Sequence, residues 1–179
     1  MKTDGGVVIG DSFARGTGSS DGVGYPILLG RRLDCRIRVV AAGGCGFVNT
    51  GRWGPHRRRR WLVPKTAEFL LIQSSANDRR SPDQAIEQAM NDYLDRLHFS
   101  ARVIITGAIW CGQDERNLLH RVTAVAQSVA SVRGVEFIDT REWHLEPSLF
   151  HEDGHPTDDG HDAIAEMLAD SIETTITRT

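Results

Sequence analysis

The sequence lacks any apolar run that approaches the roughly 18 residues a membrane-spanning helix requires. Residues 1–4 form no apolar signal segment, which fits a cytoplasmic protein and equally fits the mature form of a secreted one. The net charge is also small, −3 at pH 7, so the molecule as a whole is not built to coat nucleic acid. We therefore expect no membrane span and no nucleic-acid partner, whereas compartment and oligomeric state stay open.

Cysteine is scarce among the 179 residues, which contain only Cys35, Cys45 and Cys111. The odd count and the lack of a C-x-x-C pair argue against a disulfide framework and against a structural zinc site. A reduced compartment fits best, although one disulfide beside one free thiol would also satisfy the count. Apolar residues make up 40% and charged residues 25%, an ordinary globular composition, and the length suits a single domain over residues 1–179.

Short apolar runs alternate with amphipathic stretches along the chain. Five runs are predicted as strands: residues 7–9, 36–42, 69–73, 103–106 and 135–138. Because such continuous apolar runs suit strands covered on both faces, the alternation predicts an α/β fold, a three-layer α/β/α sandwich with a mostly parallel five-stranded sheet. Active sites in such sheets form at the carboxyl ends of the strands, so chemistry is expected in the segments that follow them.

Helical patterns fill several of the intervals between the strands. Three apolar stripes recur at helical spacing: Ile86, Met90, Tyr93, Leu94 and Leu97; Leu118, Val122, Val125, Val129 and Val132; and Ile164, Met167, Leu168 and Ile172. Ser81 is predicted as the N-cap of the first of these helices, with Pro82 in its first turn and Gln84 three residues after the cap. Thr157 is predicted as the N-cap of the last, ahead of two acidic residues.

Polar and glycine-rich segments follow the first two strands. Ser12 lies in a Gly-Asp-Ser segment directly beyond a buried strand end, where it is either a nucleophile or an ordinary turn or capping serine. The Gly-Gly-Cys-Gly segment of residues 43–46 lets the backbone turn tightly and point amides into a cleft. It also resembles the start of a dinucleotide-binding fingerprint, but Asn49 stands where the third glycine belongs and the loop follows the second strand.

Two further side chains suit acyl-transfer chemistry. Asn77 follows the third strand and either donates its side-chain amide to a developing oxyanion or forms an Asx turn before the next helix. His155 precedes the last helix and has two acidic neighbours, Glu152 and Asp153. Histidine is the side chain best suited to take up a proton near neutrality, and a carboxylate on its other ring nitrogen would fix its tautomer.

Taken in order, these segments resemble the SGNH (GDSL-like) hydrolase family over nearly the whole chain. The resemblance implies a flavodoxin-like fold with Ser12 as nucleophile and His155 as its base, and an oxyanion hole formed by the amides of Ser12 and Gly46 and the side chain of Asn77. The implied function is that of a serine esterase that hydrolyses short-chain acyl esters, above all acetyl esters, on a small molecule or a glycan. The resemblance implies no metal or organic cofactor, and acyl transfer to another alcohol is the alternative to hydrolysis.

Two positions depart from the family pattern. Ser75 stands where the third motif, Gly-x-Asn-Asp, has its glycine. In the last motif, Asp-x-x-His-Pro, Glu152 stands three residues before His155, whereas Asp153 is two residues before it. We favour Asp153 as the acid that orients the histidine, in a loop one residue shorter, with Glu152 as the alternative.

The same stretch contains a zinc-protease signature, because His151 to His155 reads H-E-x-x-H and His161 lies six residues further on. The signature requires its first two histidines on one face of a helix, which Gly154 weakens and Pro156 disfavours. A zinc hydrolase that uses the three histidines is therefore a secondary hypothesis. A non-catalytic glycan-binding module on the same fold is another.

Three other features have simpler interpretations. Ser20 lies in a G-x-S-x-G match that follows no strand, so we predict a loop near the cleft instead of a nucleophile elbow. The arginine run at residues 57–60 is interpreted as a solvated loop. Trp110 and Cys111 follow the fourth strand and are candidates for lining the acyl or leaving-group pocket, with the core as the alternative for Trp110.

Overall fold

A parallel β-sheet lies at the centre of the fold. The computed structural model describes residues 5–49, 67–97, 102–110 and 116–176, with side chains up to residue 173. Within these ranges the sheet has five strands: β1 (Gly6–Gly10), β2 (Ile37–Ala41), β3 (Phe69–Gln73), β4 (Arg102–Thr106) and β5 (Glu136–Ile138). They pair in the order β2-β1-β3-β4-β5, and every pair is parallel. The predicted sheet is confirmed.

Helices cover both faces of this sheet. The described helices are α1 (Ser12–Arg15), α2 (Tyr25–Arg32), α3 (Asp83–Asp95), α4 (Arg116–Arg133) and α5 (Asp158–Ile176), with short 3-10 turns at Ala76–Asp78 and Pro147–Leu149. Helices α2 and α5 pack together on one face, and α3 and α4 pack together on the other. The three-layer sandwich predicted from the sequence is therefore the observed fold.

Strand β3 shows why the strands have continuous apolar sequences. Phe69 and Leu71 face the layer of α2 and α5, whereas Leu70 and Ile72 face the layer of α3 and α4. All four side chains are buried because helices cover both faces of the sheet. Full burial of a side chain of this size contributes roughly 1.5–3 kcal/mol, so the pattern that identifies the strand also stabilises it.

Two details of the predicted helices are wrong. The capping residue of α3 is Pro82, whereas the amide of Ser81 donates to the carbonyl of Asp78. Ser81 therefore closes the preceding 3-10 turn instead of starting the helix. Val132 is 82% exposed instead of lying on the buried stripe of α4. Six positions after the fully buried Ala126, it points away from the sheet in the last turn of the helix.

Further predictions from the sequence concerned a membrane span, the arginine run, Cys111 and Trp110. Among the described residues, no helix is long and apolar enough to cross a bilayer. The arginine run at residues 57–60 and the side chain of Cys111 lie outside the described residues. Trp110 is half-buried and packs against the hydrophobic core on both faces of the sheet, so it lies at the edge of the core.

Thr157 and His161 fix the N-terminus of α5. Thr157 Oγ1 accepts a hydrogen bond from the Gly160 amide at 3.2 Å, which confirms the predicted cap. His161 is fully buried; its Nδ1 accepts from the Tyr25 amide at 3.3 Å, and its Nε2 lies 3.2 Å from the Thr17 carbonyl. These partners require the neutral tautomer with its proton on Nε2. Burial lowers the pKa of His161, which keeps this neutral form in place.

Because His161 is buried, we expect the free energy of unfolding of the protein to rise with pH. Since its pKa is lowered in the folded protein, the unfolded chain takes up a proton below about pH 6.5 that the folded chain does not. The free energy of unfolding therefore falls as the pH drops, by at most about 1.4 kcal/mol per pH unit for one proton. We expect His161→Gln to be less stable than the wild type near neutrality but to lose less stability on acidification, measured by urea unfolding. His144→Gln, at an exposed position, is the control; an unchanged pH dependence in His161→Gln contradicts this role.

Candidate active site

Segments that follow three neighbouring strands meet at the carboxyl edge of the sheet. Ser12 begins α1 directly after β1, the loop of residues 42–49 follows β2, and Asn77 lies in the 3-10 turn after β3. A fourth segment, just before α5, carries His155. Because β1 lies between β2 and β3 in the sheet, its serine stands at the centre of this group.

Ser12, His155 and Asp153 form a continuous chain of hydrogen bonds. The Oγ of Ser12 lies 3.1 Å from Nε2 of His155, and Nδ1 of His155 lies 3.0 Å from Oδ2 of Asp153. The other carboxylate oxygen accepts a hydrogen bond from the His155 amide at 3.1 Å. With the proton of the neutral ring on Nδ1, facing the carboxylate, Nε2 can accept the serine proton. The geometry thus suits proton transfer from serine to histidine.

Asp153, and not Glu152, is the acid that the structure brings to the histidine. Glu152 is exposed and forms no hydrogen bond or ion pair with any described residue. The two hydrogen bonds from His155 lower the pKa of Asp153, so the carboxylate stays ionised beside the ring. The Asp153 side chain is 68% exposed, so this pair is open to solvent on one side.

The turn that carries His155 is packed from two sides. The amide of His151 donates to the carbonyl of His155 at 2.8 Å, which closes the turn, and Gly154 within it has a φ of 82°. Gly18, in the segment between α1 and α2, packs against the other side. A side chain at Gly18 would collide with the Pro156 carbonyl and come within 3.0 Å of Cβ of His155. The position of the histidine therefore depends on a glycine far away in the sequence.

Aromatic rings form a wall next to this turn. The ring of Phe13 lies 6.1 Å from that of His155 and 6.3 Å from that of Phe150. Trp110 packs edge-on against Phe150 at 6.1 Å, and the Arg116 guanidinium lies 4.3 Å from the centre of the Trp110 ring. These ring contacts connect Trp110 to the histidine through Phe150 and Phe13.

A buried carboxylate lies beside the serine. Asp11 is 3% exposed and accepts hydrogen bonds from the Phe13 amide at 2.9 Å, from Gln73 Nε2 at 3.1 Å and from the Ser75 hydroxyl at 2.5 Å. The first of these caps α1, the helix that begins with Ser12. The other two tie this helix to the end of β3. Burial raises the pKa of Asp11, and the three donors oppose the rise.

Two of the three predicted oxyanion donors have acceptors within the protein. The Gly46 amide donates to the carbonyl of Asn49 at 2.7 Å. Nδ2 of Asn77 lies 3.1 Å from the Cys45 carbonyl and 2.9 Å from a serine hydroxyl of its own turn. The amide of Ser12, the first residue of α1, has no acceptor within its helix. In this conformation, therefore, only the predicted donor Ser12 is not already engaged in a described hydrogen bond.

Asp78 orders the loop that contains Gly46. It is fully buried, and its carboxylate accepts hydrogen bonds from the amides of Phe47 at 2.6 Å, Val48 at 3.2 Å and Asn49 at 2.9 Å. Burial raises the pKa of Asp78, and these three amides oppose the rise. A side chain on Gly46 would occupy the space of this carboxylate, so the close approach requires glycine.

The other histidines of the zinc-like signature bind elsewhere. The segment before α5 forms turns and an isolated bridge, so its histidines do not share a helix face. His151 Nε2 lies 2.9 Å from the Gly18 carbonyl, and both ring nitrogens of His161 bind backbone groups. Over the described ranges, no group of three His, Cys, Asp or Glu side chains is arranged to hold a metal ion. Ser20 lies in a loop, as predicted, where its hydroxyl donates to Asp158 at 2.7 Å.

A cavity of about 550 Å³ opens beside Asn77. Its lining consists of Val48, Asn49, Asn77, Arg79, Arg80 and Ser81. Apart from Val48 these residues are polar or charged, so the cavity suits a polar group better than a long acyl chain.

A parallel α/β/α fold that joins a serine, a histidine and an aspartate at its carboxyl edge has the arrangement of a serine hydrolase. Comparison with protein families agrees: the chain belongs to the GDSL-like lipase/acylhydrolase family, whose model matches residues 8–163. The family and its structural relatives make it a carboxylic ester hydrolase and confirm the resemblance seen in the sequence. No curated protein matches the chain in sequence.

Solved structures of esterases share the fold. The psychrotrophic esterase EstA from Pseudoalteromonas sp. has a TM-score of 0.78 at 16% identity, covering 97% of this chain and 99% of that one. The acetyl xylan esterase Est2A from Butyrivibrio proteoclasticus has a TM-score of 0.71 at 16% identity, covering 99% of this chain and 65% of that one. A family 3 carbohydrate esterase from Clostridium thermocellum has a TM-score of 0.70 at 14% identity, covering 93% and 94%. At these identities the similarity establishes the fold.

Sequence reasoning missed the polar partners of Asp11 at the end of β3. Gln73 was interpreted only as part of a strand, and Ser75 only as a departure from the glycine of the family motif. Both lie on the same side of the extended chain as Leu71, because they follow it at intervals of two residues. A pair of polar residues on a face that is otherwise apolar is the signal that could have pointed to a buried carboxylate.

We expect Gly18→Ala to lower ester hydrolysis because it displaces His155. Gly18 and Gly22 both have a positive φ, 97° and 74°, so alanine costs on the order of 1–2 kcal/mol of backbone energy at either position. At Gly18 the new Cβ also collides with the turn of His155, whereas nothing lies within 4 Å at Gly22. A fall in kcat/KM of about tenfold or more is expected for Gly18→Ala alone, since small displacements of a candidate base from its serine are costly. Equal rates in Gly18→Ala and the control Gly22→Ala would contradict this.

Proposed function

We propose that this chain is a serine esterase that removes short acyl groups, acetyl above all, from a carbohydrate or another small alcohol. The observation that carries the proposal is the hydrogen-bonded series of Ser12, His155 and Asp153, in which the serine hydroxyl lies 3.1 Å from the imidazole. Among the described residues, no comparable arrangement favours the zinc hydrolase. The aligned nucleophile and base favour catalysis over a purely binding role.

The proposed reaction proceeds in two half-reactions. In the first, Nε2 of His155 takes the proton of Ser12 as the serine oxygen attacks the ester carbonyl carbon. The bond to the alcohol oxygen then breaks, and His155 returns the proton to that oxygen. In the second, His155 removes a proton from water as the water oxygen attacks the acyl carbon; the bond to the serine oxygen then breaks, and His155 returns the proton to Ser12 as the acid leaves. Asp153 orients the ring and stabilises the imidazolium in both.

The developing oxyanion is held by the amides of Ser12 and Gly46 and by the side chain of Asn77. The Ser12 amide is available at once, because it starts a helix. Gly46 and Asn77 each release a neutral acceptor, the backbone carbonyls of Asn49 and Cys45. Hydrogen bonds to a charged acceptor are roughly twice as strong as neutral ones, so the oxyanion competes well for these donors. The site thus keeps its donors satisfied until charge develops.

The surroundings of the site support a polar substrate. The cavity beside Asn77 has Arg79, Arg80 and Ser81 on its walls, and these side chains can bind the hydroxyl groups of a sugar. Two proteins of the same fold are described as an acetyl xylan esterase and a carbohydrate esterase, which supports acetylated carbohydrate as the substrate class.

The substrate assignment predicts a preference for short acyl chains. We expect kcat/KM on nitrophenyl acetate to exceed that on nitrophenyl octanoate by about tenfold or more, because a polar cavity gains little from burying a long chain. Acetate release from acetylated xylan oligosaccharides, measured by chromatography, tests the carbohydrate part. A higher rate on the octanoate contradicts the assignment, and a folded protein that hydrolyses no ester contradicts the proposed function.

Asp153→Asn and Glu152→Gln each replace a carboxylate with the corresponding amide, so a comparison of the two variants identifies the acid that acts on His155. We expect Asp153→Asn to lower kcat by about 100-fold or more, since an amide cannot stabilise the imidazolium and disturbs the tautomer of His155. Glu152→Gln is expected to stay within about twofold of the wild type, because Glu152 has no partner among the described residues. Nitrophenyl acetate hydrolysis is the measurement. A larger loss in Glu152→Gln would reverse the assignment.

A further inference from the structure

Ser75 lies between the nucleophile helix and Asn77. Its hydroxyl oxygen is 2.5 Å from Oδ2 of Asp11, 2.9 Å from Nδ2 of Asn77 and 3.1 Å from the backbone nitrogen of Asn77. Ser75 is 1% exposed, so solvent does not compete for these hydrogen bonds. Its φ of −114° is extended backbone, so the conformation does not require the glycine of the family motif.

The three contacts use the whole hydrogen-bonding capacity of the hydroxyl. A serine hydroxyl has one proton to donate and two lone pairs that accept. A carboxylate only accepts, so the Ser75 hydroxyl donates its hydrogen bond to Asp11. Its two lone pairs accept from the backbone N–H and the side-chain N–H of Asn77. The amide of Asn77 must therefore present its nitrogen, and not its oxygen, to Ser75. The Cys45 carbonyl, 3.1 Å from the same nitrogen, requires the same orientation.

Asp11 connects this orientation to the nucleophile. The carboxylate that receives the Ser75 proton also caps α1 through the Phe13 amide at 2.9 Å, and α1 begins with Ser12. Asp11 and Ser75 are both buried, so water does not replace either bond when it is lost. The positions of Ser12 and Asn77 are thus linked through one carboxylate and one hydroxyl.

We propose that Ser75 is a positioning residue: its hydroxyl, held by Asp11, fixes the side-chain amide of Asn77 in the orientation that stabilises the oxyanion. The inference rests on the proposed function of this site. Ser75 touches no reacting atom and acts through Asn77. Its effect is confined to the transition state, where the oxyanion charge develops. The hydroxyl is a feature of this chain, since the glycine of the family motif offers none.

Ser75→Ala removes the hydroxyl, and Ser74→Ala is its matched control. Ser74 is the preceding residue and is equally buried at 1%, but its hydroxyl has no hydrogen-bond partner among the described residues. On nitrophenyl acetate, we expect kcat and kcat/KM of Ser75→Ala to fall together by about tenfold, with KM unchanged. This is part of the roughly 100-fold loss typical when an oxyanion donor is removed outright. Ser74→Ala is expected to stay within about twofold of the wild type.

A double-mutant cycle separates positioning from a structural role. In an Asn77→Ala background the group that Ser75 positions is gone, so adding Ser75→Ala is expected to change kcat by less than about twofold. Ser75 also caps the 3-10 turn, and a role limited to that cap lowers activity by the same factor in both backgrounds. Equal factors overturn the proposal, as does a Ser75→Ala rate equal to that of Ser74→Ala.

Two further comparisons keep the test decisive. If circular dichroism shows that Ser75→Ala does not fold, Ser75→Gly replaces it, because extended backbone accepts glycine. A folded wild-type protein that hydrolyses no ester contradicts the proposed function itself. An active wild type with equal losses in both backgrounds contradicts only the role of Ser75.

Discussion

Asp11 is buried at the end of β1, where a carboxylate is costly unless it receives hydrogen bonds. Its three donors come from the first turn of α1 and from Gln73 and Ser75 at the end of β3. These donors hold in one place the helix that begins with Ser12 and the turn that contains Asn77. Satisfying a single buried charge therefore sets the relative position of the proposed nucleophile and one proposed oxyanion donor.

The proposed base reaches this site from the far end of the chain. His155 is 143 residues after Ser12, and no strand of the sheet carries it. Its turn is held instead by the N-terminus of α5, which Thr157 caps and which His161 attaches to the segment between α1 and α2 and to the first residue of α2. Gly18 in that same segment packs against the turn. Buried His161 and the close contact of Gly18 thus take over the positioning that the sheet provides for the other groups.

Periodicity and strand ends were enough to predict the fold, because strands covered on both faces must be apolar throughout. They also predicted that the segments of Ser12 and Asn77 would meet, since parallel strands bring their carboxyl ends to one edge. His155 was expected beside Ser12 only from the family resemblance, because it precedes the last helix instead of directly following a strand. The sequence left two candidates for the acid, Asp153 and Glu152, because the choice between them depends on a turn in which Gly154 adopts a positive φ.

The sequence pattern also could not predict that the Gly46 amide donates to the Asn49 carbonyl, because the loop that contains both residues has no periodicity. This loop is ordered by a tertiary contact, the carboxylate of Asp78, which accepts hydrogen bonds from three of its amides, and local sequence carries little information about such a contact. The central claim remains that Ser12 is an activated nucleophile. Exposure of the purified protein to a fluorophosphonate in EDTA, read by intact and peptide mass, tests it most directly. The account predicts a stoichiometric adduct on Ser12 that is absent in His155→Ala. A folded protein that forms no adduct, or forms it on another serine, would contradict the account.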